Sequence, residues 1–307
     1  MSMQIIINLL IKIFSLLIFG CFLKKVNLIT DDLQKGLNQL LLKAILPVTI
    51  LMSSQNKFTK ELSGNMLLYT GIVAVFYILS ILITILISKK VRLSEAGKHV
   101  FISMTVFANV GFIGFPVIGE LYGFEGTLYT VIYNMIFQLL FFTYGVSLLS
   151  GNTQFKFSMI FKNPVTIASF ACIVIFILQI EFQSGISSAL SAIGNMTTPV
   201  SLLLIGCTLA DADLKKILFD KYSLLVSLLR MIIFPGMVFI ILTLLNLPDI
   251  VIGSCTLLSG LPAGSLNVIY AQQYDCETEF ASRTVIQTMV LMVVTLPVLI
   301  IVINQVH

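Results

Sequence analysis

The chain has 307 residues, of which 58% are hydrophobic and only 10% are charged. An ordinary soluble domain carries about 25% charged residues, so this composition excludes a soluble globular protein and indicates an integral membrane protein. The net charge of +4 comes from lysines and arginines in short loops between apolar runs, which argues against a nucleic-acid-binding surface.

Apolar runs recur along the whole chain, each close to the roughly 20 helical residues that cross a hydrocarbon core about 30 Å thick. The hydropathy pattern predicts ten such spans, at approximately residues 5–23, 33–53, 66–88, 99–119, 126–149, 164–181, 187–209, 221–245, 249–273 and 279–303. The predicted fold class is therefore an all-α integral membrane protein with ten transmembrane helices. Five cysteines are present, and none has the CxxC or Cys/His spacing of a metal site.

Basic residues are distributed unevenly among the predicted loops. Loops after even-numbered spans, together with the termini, hold only Lys57 and Lys60. Loops after odd-numbered spans hold Lys24, Lys25, Lys35, Lys89, Lys90, Arg92, Lys98, Lys156, Lys162, Lys215, Lys216, Lys221 and Arg283. By the positive-inside rule, the odd-numbered loops are cytoplasmic and both termini are extracytoplasmic, in the plasma (inner) membrane.

Ten spans divide into two halves of five spans each, residues 1–150 and 151–307. An odd number of spans per half inverts the second half relative to the first, which predicts two inverted five-helix repeats. Proline positions support this division. Pro47 and Pro116 in the second and fourth spans are 69 residues apart, and Pro199 and Pro262 in the seventh and ninth are 63 apart.

The fourth and ninth spans each contain a stretch that a membrane helix tolerates poorly, Phe107 to Pro116 and Ser259 to Asn267. Backbone at membrane depth must find hydrogen-bond partners, so unwound segments occur only where they face protein or a water-filled cavity. Proline cannot donate a backbone hydrogen bond, and glycine adopts dihedral angles that other residues avoid. Two breaks in corresponding positions predict half-helices that cross at the membrane midplane, rather than two unrelated proline kinks.

Half-helix N-termini carry partial positive charge and bind anions, while asparagine side chains both donate and accept hydrogen bonds. The predicted substrate site is therefore the crossing, formed by Asn109, Val110, Gly111, Gly114, Pro116, Pro262, Ala263, Gly264, Ser265 and Asn267. Nothing in the chain resembles a nucleophile elbow, a zinc-binding helix or a phosphate loop. No catalytic residue and no cofactor are predicted.

Several polar side chains fall within the apolar spans. Lys43 and Arg230 lie near the middle of theirs, where a charge costs at least about 2.5–3.5 kcal/mol. They either add positive potential to an anion pathway, or snorkel and hydrogen-bond to backbone carbonyls between helices. Gln138 either lines the cavity or bonds to a neighbouring helix. Lys12 is expected to snorkel or to lie at a subunit contact.

The 14 carboxylates all lie in loops or at span ends. A proton relay through a buried carboxylate is therefore disfavoured, and so is a membrane enzyme that needs an acid at that depth. Coupling to sodium, coupling to protons by another route, and uniport down the membrane potential all stay open.

Two motifs in the broken spans resemble a known family. The stretch from Asn109 to Pro116, followed by Leu121-Tyr122-Gly123, resembles the fourth span of the auxin efflux carrier family. Leu261 to Gly264, continuing to Tyr270-Ala271-Gln272-Gln273-Tyr274, resembles the ninth span. The family includes plant auxin exporters and bacterial carriers of malate and malonate.

The likeness extends over nearly the whole chain. Asn38 with Leu46-Pro47 is similar to the second span of the family, and Pro199 with Leu204-Ile205-Gly206 to the seventh. The resemblance implies ten helices, a midplane crossover of helices four and nine, external termini, a scaffold beside a moving subdomain, and homodimers. It also adds Asn38 to the accessory residues Lys43, Gln138 and Arg230.

The chain departs from the plant members in two respects. It lacks their large cytoplasmic loop between the fifth and sixth spans, and Asn267 stands where they tend to carry a second proline. Auxin is therefore not the expected substrate, and a bacterial carrier of malate or malonate is the nearer comparison.

Together these features predict a secondary transporter of a small organic anion, a mono- or dicarboxylate, that works by alternating access around the crossover. The alternative is a membrane sensor or channel that uses the same crossover without carrier-type translocation. The expected partners are the anion, the lipid bilayer and a second copy of the chain; nucleic acid is not expected.

The predicted orientation can be tested with reporters fused to the C-terminus. We expect alkaline phosphatase to be active there and green fluorescent protein to be dark, because the termini are predicted to be extracytoplasmic. The same reporters inserted after Arg92, in a predicted cytoplasmic loop, should behave in the opposite way. A fluorescent C-terminal fusion would contradict the orientation.

Overall fold

The computed structural model describes residues 3–151, 162–210 and 220–306. All regular elements in these ranges are helices, which confirms the predicted all-α class. Within the same ranges, the backbone pairing outside helices that qualifies as a bridge joins Ala108 to Ala263. Three lysines that entered the orientation argument lie outside the described residues: Lys156, Lys215 and Lys216.

The described α-helices are, in chain order, α1 Met3–Lys25, α2 Asp31–Leu40, α3 Leu46–Ser53, α4 Lys60–Ser88, α5 Glu95–Val106, α6 Phe115–Leu140, α7 Val146–Ser150, α8 Pro164–Leu178, α9 Ser184–Gly194, α10 Thr197–Ala210, α11 Lys221–Leu228, α12 Phe234–Leu244, α13 Asp249–Ser259, α14 Ser265–Gln273 and α15 Thr278–Val306. Several of them are joined end to end by π-helical turns. These turns are Leu41–Ile45 before α3, Val110–Gly114 before α6, Phe141–Gly145 before α7 and Leu229–Ile233 before α12.

Seven helical stretches among the described residues are long and apolar enough to cross a membrane, judged by length and composition. One of them, the 41-residue stretch Val110–Ser150, is interrupted at Gly123, where φ is 62° and ψ is −147°. Shorter apolar helices, α8 and α13, lie in the predicted sixth and ninth spans. The chain is therefore a multi-pass membrane protein, and the count of ten spans stays a prediction.

Most of the π-helical turns have a common cause. Three of the four end two residues before a proline: Pro47, Pro116 and Pro235. Proline has no N–H to donate to the preceding turn, and its ring crowds the carbonyl there. The helix accommodates this by widening over one turn instead of ending.

Packing divides the chain into two units, each discontinuous in sequence. Unit 1 comprises Met1–Tyr69, Gly111–Met135 and Ser158–Asp211. Unit 2 comprises Thr70–Val110, Ile136–Phe157 and Ala212–His307. Each unit draws residues from both halves of the chain. The predicted repeats, 1–150 and 151–307, are therefore a different division from the packing units, and they stay a prediction.

In unit 1, α1 packs along α10 with the two backbones nearly in contact. A Cβ atom on Gly20 would lie 2.2 Å from the carbonyl oxygen of Leu203, and one on Gly206 would lie 2.1 Å from that of Leu17. Cys207 Sγ donates to the Gly20 carbonyl oxygen at 3.3 Å. Lipid is as apolar as the side chains it would replace, so close backbone approach is a main source of helix association in membranes. The two glycines therefore hold α1 against α10.

In unit 2, capping fixes the start of α5. Ser94 Oγ accepts from the N–H of Gly97 at 2.9 Å and donates to Glu277 Oε1 at 2.8 Å. Lys98 donates to the Glu95 carboxylate at 2.6 Å, and this hydrogen bond lowers the pKa of Glu95. The helix thus starts at a defined residue ahead of the predicted fourth span, and its last turn lies where that span breaks.

Substituting Gly206 with alanine should destabilise unit 1. A buried methyl group that collides with backbone costs about 1–3 kcal/mol of unfolding free energy, although alanine is the better helix former. Gly71→Ala is the matched control, because nothing lies within 4 Å of its Cβ position. Thermal unfolding of the purified protein in detergent should show a lower midpoint for Gly206→Ala alone. Equal midpoints for the two variants would contradict the proposed backbone contact.

Candidate functional site

Each predicted stretch contains an unwound segment, residues 107–109 and residues 260–264, and both segments belong to unit 2. Helix α5 ends at Val106, Phe107 is extended with φ −98° and ψ 111°, and the next π-helical turn begins at Val110. Helix α13 ends at Ser259, and α14 begins after Gly264, which has φ −73° and ψ 135°. Each break is a short unwound segment between two helices.

The two breaks pair with each other as a minimal antiparallel bridge. The N–H of Asn109 donates to the carbonyl oxygen of Pro262 at 2.9 Å, and the N–H of Gly264 donates to that of Phe107 at 2.9 Å. Peptide groups that unwinding would leave without partners at membrane depth are thus paired inside the protein. The breaks are therefore parts of one structure and not independent proline kinks.

The bridge requires small residues on both strands. Ala108 stands opposite Ala263, and the two are 1% and 0% exposed. A non-hydrogen-bonded antiparallel pair of this kind brings its Cα atoms to about 4.5 Å, which leaves little room for longer side chains. A Cβ atom on Gly264 would lie 2.8 Å from the carbonyl oxygen of Ala108, so glycine is needed there for space.

The glycines in the two breaks were predicted from their dihedral freedom, and the structure gives a different reason for two of them. Gly260 and Gly264 have φ −91° and φ −73°, and Gly111 likewise avoids the positive-φ region. A Cβ atom on Gly260 would lie 2.7 Å from Leu299 Cδ1, whereas on Gly111 it would meet nothing closer than 3.8 Å. Close packing, and not dihedral freedom, explains Gly260 and Gly264.

Asn267 is fully buried, and its side-chain amide is bonded at both ends. Nδ2 donates to the carbonyl oxygens of Phe107 at 3.1 Å and Gly264 at 2.9 Å, while Oδ1 accepts from the hydroxyl of Ser103 at 2.7 Å. The side chain thereby fastens the first turn of α14 to α5 and to the other break. This geometry makes Asn267 a positioning residue; its predicted contact with a substrate stays a prediction.

Asn109 has a looser side-chain contact than Asn267. Its Nδ2 lies 3.5 Å from Ser265 Oγ, the outer limit of a hydrogen bond, and the residue is 4% exposed. Ser265 is the first residue of α14. The first N–H groups of a helix have no partners within it and carry partial positive charge, so Asn109 and Ser265 lie beside an anion-attracting helix end.

Arg230 is 1% exposed and donates to backbone carbonyls at both breaks. Nε donates to the carbonyl oxygen of Leu261, just past α13, at 2.5 Å. Nη1 donates to those of Thr105 at 2.7 Å and Met104 at 3.3 Å, in the last turn of α5. The Thr105 and Met104 carbonyls carry the partial negative charge of the α5 C-terminus, and the Leu261 carbonyl belongs to the unwound segment after α13, so the guanidinium offsets negative charge at both breaks. These are the hydrogen bonds to backbone carbonyls that one interpretation of Arg230 predicted, and its contribution to an anion pathway stays a prediction.

The remaining predicted site residues are distributed over both units. Val110 is buried beside Asn109 in unit 2. Gly111, Gly114 and Pro116 follow in the π-helical turn and α6, and they belong to unit 1. The predicted site is therefore divided after Val110. The part that the bridge holds together comprises Asn109, Val110, Pro262, Ala263, Gly264, Ser265 and Asn267.

The accessory residues also separate. Gln138 is 3% exposed within unit 2. Asn38, half buried near the end of α2, and Lys43, exposed in the following π-helical turn, belong to unit 1. Among the accessory residues, Arg230 contacts both breaks, as described above. Across the described ranges, no group of three His, Cys, Asp or Glu side chains could hold a metal ion.

Sequence reasoning missed three residues that shape the crossover. Ala108 forms half of the bridge, Ser103 donates to Asn267, and Thr288 Oγ1 accepts from the N–H of Ala263 at 3.1 Å. The sequence has an alanine at the centre of each break, and this feature could have identified Ala108. Hydroxyls within spans usually bond to their own helix, so no local pattern distinguished Ser103 or Thr288.

An all-helical, multi-pass protein with two unwound segments paired in its interior falls in the class of membrane transport proteins built on discontinuous helices. Residues 5–159 and 154–300 match the family described as membrane transport protein. The chain therefore belongs to this family, the auxin efflux carrier family that its motifs resemble. Members of the family are transporters and not enzymes.

Two archaeal relatives align over most of the chain. An uncharacterized transporter of Methanocaldococcus jannaschii is 21% identical over 291 residues, which cover 89% of this chain and 91% of that protein. An uncharacterized transporter of Methanothermobacter thermautotrophicus is 24% identical over 295 residues, 94% of this chain and 95% of that protein. Both are described as transporters, in agreement with the family match.

Replacing Arg230 should lower the unfolding free energy more than replacing a surface arginine does. Arg230→Ala leaves three buried carbonyl contacts without their charged donor, which should lower the unfolding free energy by at least about 3 kcal/mol. Arg230→Lys keeps the charge but not the planar guanidinium, so its unfolding free energy should lie between those of wild type and Arg230→Ala. Arg283→Ala, which removes only a partly exposed pair with Glu279, is the control and should cost less than about 1 kcal/mol. Thermal unfolding in detergent measures all three; equal losses for Arg230→Ala and Arg283→Ala would refute the assignment.

Proposed function

We propose that this protein is a secondary transporter of a small organic anion, a mono- or dicarboxylate, bound at the crossover of unit 2. The observation that carries the proposal is the position of Arg230. The guanidinium donates to carbonyls in the last turn of α5 and in the unwound segment after α13, so its charge offsets partial negative charge that would oppose the positive N-terminus of α14. A site with this electrostatic balance favours an anion.

The carboxylate would bind on the side of the bridge formed by Asn109 and Ser265. Asn109 Nδ2, the Ser265 hydroxyl and the first N–H groups of α14 are donors that converge near one another. Discontinuous helices of other carriers direct half-helix N-termini at substrate carboxylates in the same way. Asn267 would act through the others, by holding α14 against α5.

The energetics favour export by uniport. Moving one negative charge out of the cytoplasm gains about 2.3 kcal/mol per 100 mV of inside-negative potential. In cation-coupled carriers, unwound carbonyls and helix C-terminal ends coordinate the sodium ion. Here Arg230 donates to such carbonyls, so a permanent charge takes the place of a coupling cation. Alternating access would expose the crossover first to one side of the membrane and then to the other.

The same proposal includes the cellular setting of the carrier. The distribution of lysines and arginines supports a plasma (inner) membrane protein with both termini on the extracytoplasmic side. A homodimer in the lipid bilayer is the proposed assembly, in keeping with the family resemblance.

Counterflow of labelled malonate, malate and short monocarboxylates into proteoliposomes tests this function. Wild-type protein should exchange at least one acid saturably, and the rate should not change when choline replaces sodium. Asn109→Ala should raise the KM for that acid at least about tenfold, because it removes a donor to a charged group, while the thermal midpoint stays near wild type.

Asn65→Ala, a half-buried asparagine in α4, is the matched control and should transport as wild type does. Asn267→Ala should lose both transport and thermal stability, as expected of a positioning residue. A conductance without counterflow would indicate a channel. A wild-type KM for Asn109→Ala would show that the substrate does not bind at the crossover.

A further inference from the structure

Unit 1 contains a cavity that the crossover does not share. Its volume is about 690 Å³, and its walls come from α1, α3, α6, α9 and α10, all within unit 1. The polar lining residues are Lys12, Ser15, Thr49, Glu120, Thr127, Ser191, Asn195, Thr197 and Thr198. A space of this size accommodates a ligand considerably larger than water.

One wall carries two opposite charges. Lys12 Nζ of α1 donates to Glu120 Oε1 of α6 at 2.6 Å, and both side chains are partly exposed. Among the described residues that line the cavity, these two alone are charged. Lys12 pairs with Glu120 within unit 1, and its predicted snorkelling or place at a subunit contact stays a prediction. A charged residue within a span is costly, and such residues usually mark a functional site.

A second wall is built of fixed hydroxyl groups. Thr49 Oγ1 donates to the carbonyl oxygen of Gly194 at 3.0 Å and lies 2.6 Å from Thr197 Oγ1. Thr197 is 2% exposed and begins α10, with Thr198 next to it at the cavity. These contacts tie α3 to the junction of α9 and α10, so the hydroxyls are held in place before any ligand arrives.

A third part of the lining is apolar and comprises Leu16, Met52, Phe115, Phe124 and Pro199. It adjoins the charged wall through α6. Gly123, with φ 62°, turns the chain between Glu120 and Phe124, and Thr127 Oγ1 donates to its carbonyl oxygen at 2.9 Å. The cavity thus offers one cation, one anion, hydroxyl groups and an apolar surface.

We propose that this cavity binds a small zwitterion with an apolar side chain, whose carboxylate or phosphate pairs with Lys12 and whose ammonium group pairs with Glu120. A simple anion would be attracted by Lys12 and repelled by Glu120 at nearly the same distance. A simple cation would be attracted by Glu120 and repelled by Lys12. Only a ligand with both charges on neighbouring atoms satisfies both residues. A zwitterion that opens the pair gives each side chain a new partner of opposite charge, which replaces the attraction that is lost.

Two sources supply this chemistry, a free aliphatic amino acid and a phosphatidylethanolamine headgroup. The probes are L-leucine, its deaminated analogue 4-methylpentanoate and its decarboxylated analogue 3-methylbutylamine, measured by thermal shift on the Asn109→Ala variant. That background removes the proposed carboxylate contact at the crossover, so the outcome does not depend on the proposed transport function. L-Leucine should bind at least about tenfold more tightly than either analogue, since each lacks one charged contact.

Changing one charge at a time should change the preferred ligand. Glu120→Gln should bind 4-methylpentanoate better than L-leucine, and Lys12→Met should bind 3-methylbutylamine better. Lys25→Met and Glu181→Gln remove exposed charges away from the cavity and should behave as the parent. If a single substitution impairs folding, the exchanged pair Lys12→Glu with Glu120→Lys restores both charges and should regain L-leucine binding.

Nanodiscs distinguish the two sources. Competition with L-leucine by phosphatidylethanolamine, but not by phosphatidylcholine, whose quaternary ammonium cannot donate to Glu120, assigns the site to the lipid. Absence of competition assigns it to the free amino acid. Equal binding of L-leucine and its two analogues, or unchanged preference in Glu120→Gln and Lys12→Met, would overturn the proposal.

Discussion

The structure depends on one constraint, that backbone groups unwound at membrane depth must find partners inside the protein. The two-bond bridge between Phe107–Asn109 and Pro262–Gly264 meets it for both breaks at once. The bridge in turn requires alanine at its centre and glycine beside it, because the two backbone segments approach within van der Waals contact. Asn267 then fastens the segments together, with its amide bonded to both breaks and to α5.

Electrostatics link this architecture to function. Within unit 2, the C-terminal ends of α5 and α13 carry partial negative charge, and the N-terminal end of α14 carries partial positive charge. Arg230 donates to carbonyls in the last turn of α5 and just past α13, and its charge offsets partial negative charge at both places. The same side chain therefore stabilises the crossover and defines the charge of the ligand that we propose for it. In the carrier that we propose, Arg230 would stand in place of a separate cation beside these carbonyls.

Composition and hydropathy predicted the helical class and the membrane location, because apolar runs of span length are rare outside transmembrane helices. The breaks were predictable from proline, glycine and asparagine within those runs. Contacts distant in sequence were not. Nothing local indicated that Arg230 would reach Thr105 and Leu261, or that Lys12 would pair with Glu120. The sequence suggested that Gly264 is glycine for its dihedral freedom, whereas the structure shows that a larger residue would collide with the carbonyl oxygen of Ala108. The close approach of a segment distant in the sequence cannot be inferred from local residues.

The central claim is that an organic anion binds where the two broken helices pair. An experimental structure of the protein with the most tightly bound acid, chosen from short mono- and dicarboxylates, tests it most directly. We expect ligand density in hydrogen-bond contact with Asn109, Ser265 and the first turn of α14, with Arg230 still donating to the carbonyl oxygens of Thr105 and Leu261. Density for the acid only elsewhere, with the Asn109 and Ser265 side chains unchanged from the unliganded protein, would contradict it.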